Sequence, residues 1–288
     1  MFEMFINKFR EWLFNYKTKP GIRGVIGKYL RIYILKFLEP TNRIRYLPVT
    51  KYLNDNHFKD ASILEIGVGP KGTGITKYLI KKIVGLDLNF SFYTGKRLGF
   101  LDMVRGDCSS LPFKSKTFDC IICMDTLEHI SHERYFDILS EIIRVCRKTV
   151  ILGFPSGKIA EKFEERVRSL YEKKIADKNL HPLKRQIIKE RSDFLIEHKD
   201  KKLPTVEEII DILKKAATKY NWISDTRILE NESVRFWYYS VLARLGSKPG
   251  YVIKSLAFNL VPYCILNSGW GGFYRKIVII ENKSENIS

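Results

Sequence analysis

A chain of 288 residues, 45% hydrophobic and 28% charged, has the composition of an ordinary globular protein and excludes the low-hydrophobicity signature of disorder. No run approaches the roughly 20 uninterrupted apolar residues of a spanning helix. Met1–Tyr16 carries Glu3, Lys8, Arg10 and Glu11 without a small-residue cleavage site, so no signal peptide is expected and a cytoplasmic location is the default.

The net charge of +18 sits mainly in the flanks: +7 in residues 1–60, +3 in 61–156 and +8 in 157–288. Such flanks face solvent or something anionic: nucleic acid, a phosphorylated substrate, or an anionic inner membrane surface touched peripherally. Residues 1–60 read as an N-terminal helical cap of two or three basic, aromatic helices ending at Pro40 and around Pro48. Phe2, Phe5, Phe9 and Trp12 of the first helix share a face suited to packing on the core or lying on a membrane.

Residues 61–288 read as one unit. Strand and helix signals alternate through its first part, which predicts an α/β, Rossmann-like doubly wound sheet. Expected strands are Ala61–Ile66, Lys82–Leu88, Leu101–Arg105, Phe118–Met124 and Thr149–Phe154, with a helical Ile75–Lys81 after the first. Tyr135, Ile138, Leu139, Ile142 and Ile143 have the spacing of an amphipathic helix over Ser131–Cys146, with Ser131 as its cap. Cys120 and Cys123 mimic half of a zinc site, but three residues apart on a strand they point to opposite faces, so packing is expected and no metal site is assigned.

Insertions at about 157–203 and 231–272 form lid elements. The first is Lys/Glu-rich and split by Pro182; the second contains Arg235-Phe236-Trp237-Tyr238-Tyr239, which suits stacking on a sugar or base, or core packing. Between them Thr205-x-x-Glu208 is a capping box opening a helix. Trp222–Leu229 and Phe273–Ile280 are two further strands.

The segment Ile63–Gly74 is a strand entering a glycine-rich turn, in which Gly67, Gly69 and Gly72 satisfy the dinucleotide spacing G-x-G-x-x-G. That match alone leaves an NAD-dependent dehydrogenase open. Glu65 argues otherwise: a carboxylate at the strand end repels a pyrophosphate, whereas S-adenosylmethionine has no phosphate and carries an ammonium and a sulfonium. Asp87 closes the next strand, spaced to accept hydrogen bonds from both ribose hydroxyls. Asp107 follows the third strand, where it would receive an adenine amino group.

Leu64-Glu65-Ile66-Gly67-Val68-Gly69, Val84-Gly85-Leu86-Asp87, Gly106-Asp107, Leu111-Pro112-Phe113, Thr117-Phe118-Asp119 and Asp125-Thr126-Leu127-Glu128-His129-Ile130 resemble, in order, the motifs of class I S-adenosylmethionine-dependent methyltransferases, particularly the type 11 group. The resemblance implies a sheet of about seven strands with the last antiparallel. It implies that Glu65, Gly67 and Gly69 contact the methionine end, Asp87 with the adjoining Leu88 the ribose, and Asp107 with Cys108 the adenine. Met124 and Asp125 would line the pocket.

Methyl transfer from a sulfonium is an in-line displacement in which alignment supplies much of the acceleration. For a hydroxyl acceptor, a base adds roughly 10²–10⁴-fold, and His129 and His198 are the candidates. The other reading makes Glu128 and His129 a brace for the following loop or a helix cap, and His198 a solvated helix residue. The expected acceptor is a small molecule, glycan or lipid-linked molecule methylated on oxygen. Methylation of RNA or other nucleic acid is the second reading, drawn from the basic flanks; a non-catalytic cofactor-binding protein is the third.

Overall fold

The computed structural model describes residues 40–58, 60–69, 75, 83–88, 101–243 and 261–284. The helices expected before Pro40, the turn at Lys71–Gly74 and most of the helix expected after it lie outside these residues. The described elements, in chain order, are α1 (Pro40–Asp55), β1 (Ile63–Ile66), β2 (Ile83–Asp87), β3 (Leu101–Arg105) and β4 (Phe118–Met124). After them come α2 (Tyr135–Val145), β5 (Cys146–Pro155), α3 (Gly157–Ile175), α4 (Pro182–Lys201) and α5 (Val206–Lys219). The chain closes with β6 (Ser224–Ser233), α6 (Val234–Ala243), α7 (Tyr263–Leu266) and β7 (Phe273–Asn282). Seven strands form one sheet in the order β3-β2-β1-β4-β5-β7-β6. The first five pair in parallel, and β7 runs antiparallel to both β5 and β6.

Both faces of the sheet are covered, which is why its central strands read as unbroken apolar runs. All seven residues of β4 are buried. Ile121 and Cys123 point to one face, where Tyr135, Ile138, Leu139, Ile142 and Ile143 of α2 pack beside Ile209, Leu213 and Ala216 of α5. Cys120 and Ile122 point to the other, against Tyr46, Val49 and Leu53 of α1. The period-two alternation thus separates Cys120 from Cys123, and all five cysteines are free thiols.

Three local expectations are corrected. The helix expected to end near Pro48 runs through it, from Pro40 to Asp55. Proline at position 48 cannot donate to the Ile44 carbonyl one turn earlier, and the Asn231 side-chain amide fills that role at 3.1 Å. The helix expected from Ser131 begins at Tyr135. Two 3₁₀ turns, Leu127–His129 and His132–Arg134, precede it, and Ser131 makes no side-chain capping bond. Finally, β5 starts at Cys146, directly where α2 ends, and β6 extends to Ser233, beyond the apolar part that announces it.

Thr205 does cap α5, accepting from the Glu208 N–H at 3.2 Å, but the Glu208 carboxylate turns to His132 Nδ1 at 2.8 Å instead of closing the box. Pro182 opens α4 at the first helical position, where its missing N–H is unneeded. α3, α4 and α6 share a third apolar cluster, in which Val167, Tyr171, Leu195 and Trp237 close over Tyr274 of β7. This layer lies beside the carboxyl end of β4.

Asp119 ties three strand ends together. It accepts from the Ser62 N–H at 2.9 Å and from Arg147 Nη2 at 2.8 Å. Burial acts to raise its pKa, but the Ser62 N–H and hydroxyl with Arg147 and Lys148 outweigh that and hold it below the usual carboxylate range. A depressed folded-state pKa contributes stability above the unfolded value of about 3.9, which is lost as pH falls through the folded one. Asp119→Asn is therefore expected to lower the urea midpoint at pH 7, by an amount that shrinks as the pH falls below about 3.9.

Candidate active site

Two cavities open at the carboxyl ends of the parallel strands, where ligands of such sheets bind. The first is a cleft formed by the ends of β1, β2 and β3, lined by Gly67, Asp87, Leu88, Asp107, Cys108 and His129, with Arg134 and Lys201 at its mouth. Gly67 and Gly69 adopt φ of +72° and +76°, and a Cβ on Gly67 would lie 2.0 Å from Thr126 Oγ1. Only glycine fits there. The Gly69 amide donates to Asp87 Oδ2 at 2.9 Å, which locks the turn to the tip of β2.

Asp107 accepts from the Ser109 amide and hydroxyl, both at 2.9 Å, and pairs with Arg134 Nη2 at 2.7 Å. The Ser109 amide above all, then Arg134, holds its pKa below the usual carboxylate range. Burial pushes the Cys108 thiol up to about 11, so it meets a ligand as a neutral, weakly polar surface.

Glu65 does not line this cleft. Its carboxylate is wholly buried, takes the Tyr46 hydroxyl at 2.7 Å, and accepts the Ile75 amide with both oxygens at 3.0 and 2.9 Å. It holds the far end of the glycine turn in place, so its influence on a ligand runs through the backbone it anchors. Met124 is also core: it is 2% exposed, and its Cε methyl fills the space where a Cβ on Gly153 would stand.

The second cavity, about 290 Å³, lies between the tip of β4 and the α3–α4–α6 layer. Its walls are aromatic, from Tyr171, Phe194, Trp237 and Tyr274, and its floor is charged. Trp237 stacks on Tyr274 with centroids 4.0 Å apart, so this member of the aromatic run both packs and faces the cavity. Asp125 belongs to this floor and not to the first cleft. Arg275 grips it through two bonds, Nε–Oδ1 at 2.6 Å and Nη2–Oδ2 at 2.7 Å, and Arg45 reaches Oδ2 at 2.6 Å. Arg275 also pairs with the buried Glu232 at 2.7 Å. Two cations and two anions balance. Arg275 escaped the sequence reading because, beside Lys276 at the start of the strand, it reads as a solvent-facing charge, whereas it is 2% exposed. Arg134 gave no sequence signal at all.

His129 lines both cavities. It closes the turn after β4, and its ring meets that of His198 on α4, with Nε2 atoms 3.4 Å apart. His198 is 6% exposed and not a solvated helix residue. Each ring is steered by a carboxylate: His129 Nδ1 by Glu197 at 2.9 Å, His198 Nδ1 by Glu164 at 3.0 Å. Burial lowers the pKa of His129, and the neighbouring His198 lowers it further against the pull of Glu197. Burial acts the same way on His198, but the bond to Glu164 and its charge outweigh it, and the net shift is upward. Glu128, buried beside them, is pushed up to about 8 by burial and then by the charge of Asp125.

A family model described as "Methyltransferase domain" matches residues 64–154, the span from β1 through β5 that builds the first cleft. Residues 64–154 are a class I S-adenosylmethionine-dependent methyltransferase domain. No curated protein matches the sequence. Solved structures similar to the chain include magnesium protoporphyrin IX methyltransferase from Synechocystis PCC 6803, at 12% identity over 95% of this chain and 99% of that one, with a TM-score of 0.48. Geranyl diphosphate C-methyltransferase from Streptomyces coelicolor A3(2) is similar at 11% identity, over 81% and 75%, with a TM-score of 0.42.

The cleft suits the cofactor of this methyltransferase domain. Gly69 leaves room for close approach: among the described residues nothing lies within 4 Å of where its Cβ would stand. Asp87 and Asp107 supply acceptors at the strand tips, and Glu197 pairs with the Lys201 ammonium at 2.6 Å, which offsets a cation near a positively charged ligand. When bound, S-adenosylmethionine supplies an electrophilic methyl group on a sulfonium.

Two outcomes follow from these contacts. Asp87→Ala should weaken S-adenosylmethionine binding by about 1.5–3 kcal/mol, roughly 10- to 150-fold by calorimetry, the scale of a charge-assisted hydrogen bond. Arg275→Met should cost about 3–5 kcal/mol in urea unfolding, because it strands the buried carboxylates of Asp125 and Glu232.

Proposed function

We propose that the chain transfers the methyl group to a hydroxyl of a small-molecule, glycan or lipid-linked acceptor whose hydroxyl-bearing end sits in the aromatic cavity. The observation that carries this reading is the position of His129, which forms part of the wall of both cavities. A hydroxyl placed at the imidazoles would lie on the side of His129 opposite the cofactor cleft and near its opening. Alignment of oxygen, methyl carbon and sulfur is the main demand of the reaction.

Cavity shape and lining favour one ring-sized group. Aromatic faces pack against the C–H face of a sugar or similar ring, while charged groups on the floor bond its hydroxyls. Within the cofactor cleft Asp87, Leu88, Asp107 and Cys108 receive the nucleoside, Gly67 and Gly69 pass the methionine portion, and Glu65 fixes the turn. Glu128, His129 and His198 are the groups that would take up the hydroxyl proton or offset the charge left on oxygen.

Among the described residues no helix is long and apolar enough to cross a membrane.

The test is to incubate the enzyme with radiolabelled S-adenosylmethionine and fractionated extract, and to identify the labelled product by mass spectrometry. An alkali-stable O-methyl ether on a non-nucleic-acid molecule is expected, and His129→Ala should reduce kcat by roughly 10²–10⁴-fold with cofactor affinity retained. Label confined to RNA, or methyl on nitrogen, would overturn the reading.

A further inference from the structure

In the wall of the aromatic cavity two imidazoles and one buried carboxylate converge. The Nδ1 of His129 and the Nδ1 of His198 each meet a carboxylate, Glu197 at 2.9 Å and Glu164 at 3.0 Å. An ionised carboxylate only accepts, so each Nδ1 carries a ring proton, and when the rings are neutral each Nε2 offers a lone pair. Those two lone pairs face each other at 3.4 Å. Facing lone pairs repel in a buried site unless a positive charge lies between them.

Glu128 points the same way. It is 2% exposed, and its Oε2 has no hydrogen-bond partner among the described residues. Leaving such a buried atom without a partner is unfavourable. The ligating atoms of Glu128, His129 and His198 all lie within 4.8 Å of one another. Nitrogen and oxygen donors stand about 2.0–2.2 Å from a zinc-like ion, which puts neighbouring donors of a tetrahedral site roughly 3.3–3.5 Å apart. The Nε2 pair already has that separation.

We propose that Glu128, His129 and His198 bind one divalent transition-metal ion, and that the acceptor hydroxyl takes an open position on it. The hydroxyl part of this inference rests on the reading under Proposed function; the ion does not. Two imidazoles and one carboxylate with open positions form a donor set of catalytic type. The outer partners are those a metal site uses: carboxylates on the far nitrogens fix each ring's tautomer and raise its basicity. Glu164 is itself held by the Tyr274 hydroxyl at 2.6 Å, and Glu197 by Lys201. Asp125 stays out of the set because guanidinium groups hold both its oxygens.

The chemistry balances without an oxidant or a second substrate. Metal binding lowers the hydroxyl pKa, and its proton leaves to water. The oxygen lone pair forms the O–C bond as the C–S bond breaks with its electrons staying on sulfur. The products are the methyl ether, S-adenosylhomocysteine and one proton.

The test uses the full-length chain, stripped with a chelator, then titrated calorimetrically with ZnSO₄, MnCl₂ or CoCl₂, with bound metal counted by mass spectrometry. One ion per chain is expected, with visible absorption from the Co²⁺ form. Affinity should fall at least about 100-fold in His129→Ala and His198→Ala, and roughly 10–100-fold in Glu197→Gln, which leaves all three ligands in place. Circular dichroism melts establish that each variant is folded, and the Co²⁺ spectrum of the unaltered protein needs no variant.

Failure of the stripped chain to bind any of the three ions at about 1 mM, or undiminished binding in the His129→Ala/His198→Ala double variant, overturns the site and leaves a shared proton between the rings. The two proposals fail separately. A bound ion with a product other than an O-methyl ether sinks the hydroxyl reading alone. An O-methyl ether formed at unchanged rate after chelation, with no ion bound, sinks the metal site alone.

Discussion

The buried guanidinium of Arg275 decides where the central strand of this sheet ends. Asp125, the first residue past β4, has φ of +50°, a left-handed conformation that an aspartate adopts at a cost of about 1–3 kcal/mol. It persists because Arg275 on β7 grips both carboxylate oxygens and Arg45 on α1 adds a third contact. Glu232, also at positive φ, +62°, closes the network from the end of β6. Four elements far apart in sequence are thereby pinned to one point, where two guanidinium groups face two carboxylates largely away from water.

That pin sets the course of the chain into the Leu127–His129 turn. Thr126 is brought against Gly67, so the tip of β4 and the glycine turn form one surface, and His129 is delivered to the boundary between the two cavities with Glu128 in the wall of the second. The α3–α4 layer then supplies Glu164, Glu197 and His198 from above. In the proposed reaction the domain at residues 64–154 holds the nucleotide, and α3 and α4 complete the acceptor side.

Much of the sheet was legible in the sequence because its signals are local. β3 and β4 fall on their expected limits, and the apolar positions of α2 are those its spacing marks, since a buried face imposes its period on the chain. The strand tips holding Asp87 and Asp107 follow from the same rhythm. What escaped depends on pairing at long range. His129 and His198 stood as separate candidates 69 residues apart, and nothing in either segment says that their rings meet. Glu65 looked like a ligand-facing acid because its spacing from Gly67 was visible, while its true partners, Tyr46 and the Ile75 amide, come from a helix and a turn with no sequence link to it. The rescue of the Ile44 carbonyl by Asn231, which lets α1 pass through Pro48, is a contact of the same kind.

The account turns on one spatial claim, that the cofactor's reactive end and the acceptor cavity meet at His129. A crystal structure with S-adenosylhomocysteine tests it most directly. The account places the adenosine against Asp87 and Asp107 and the thioether sulfur at the side of His129 that faces the first cleft, with the aromatic cavity opening beyond it. A thioether directed away from His129, or a nucleoside seated outside the cleft between Gly67 and Asp107, would contradict it.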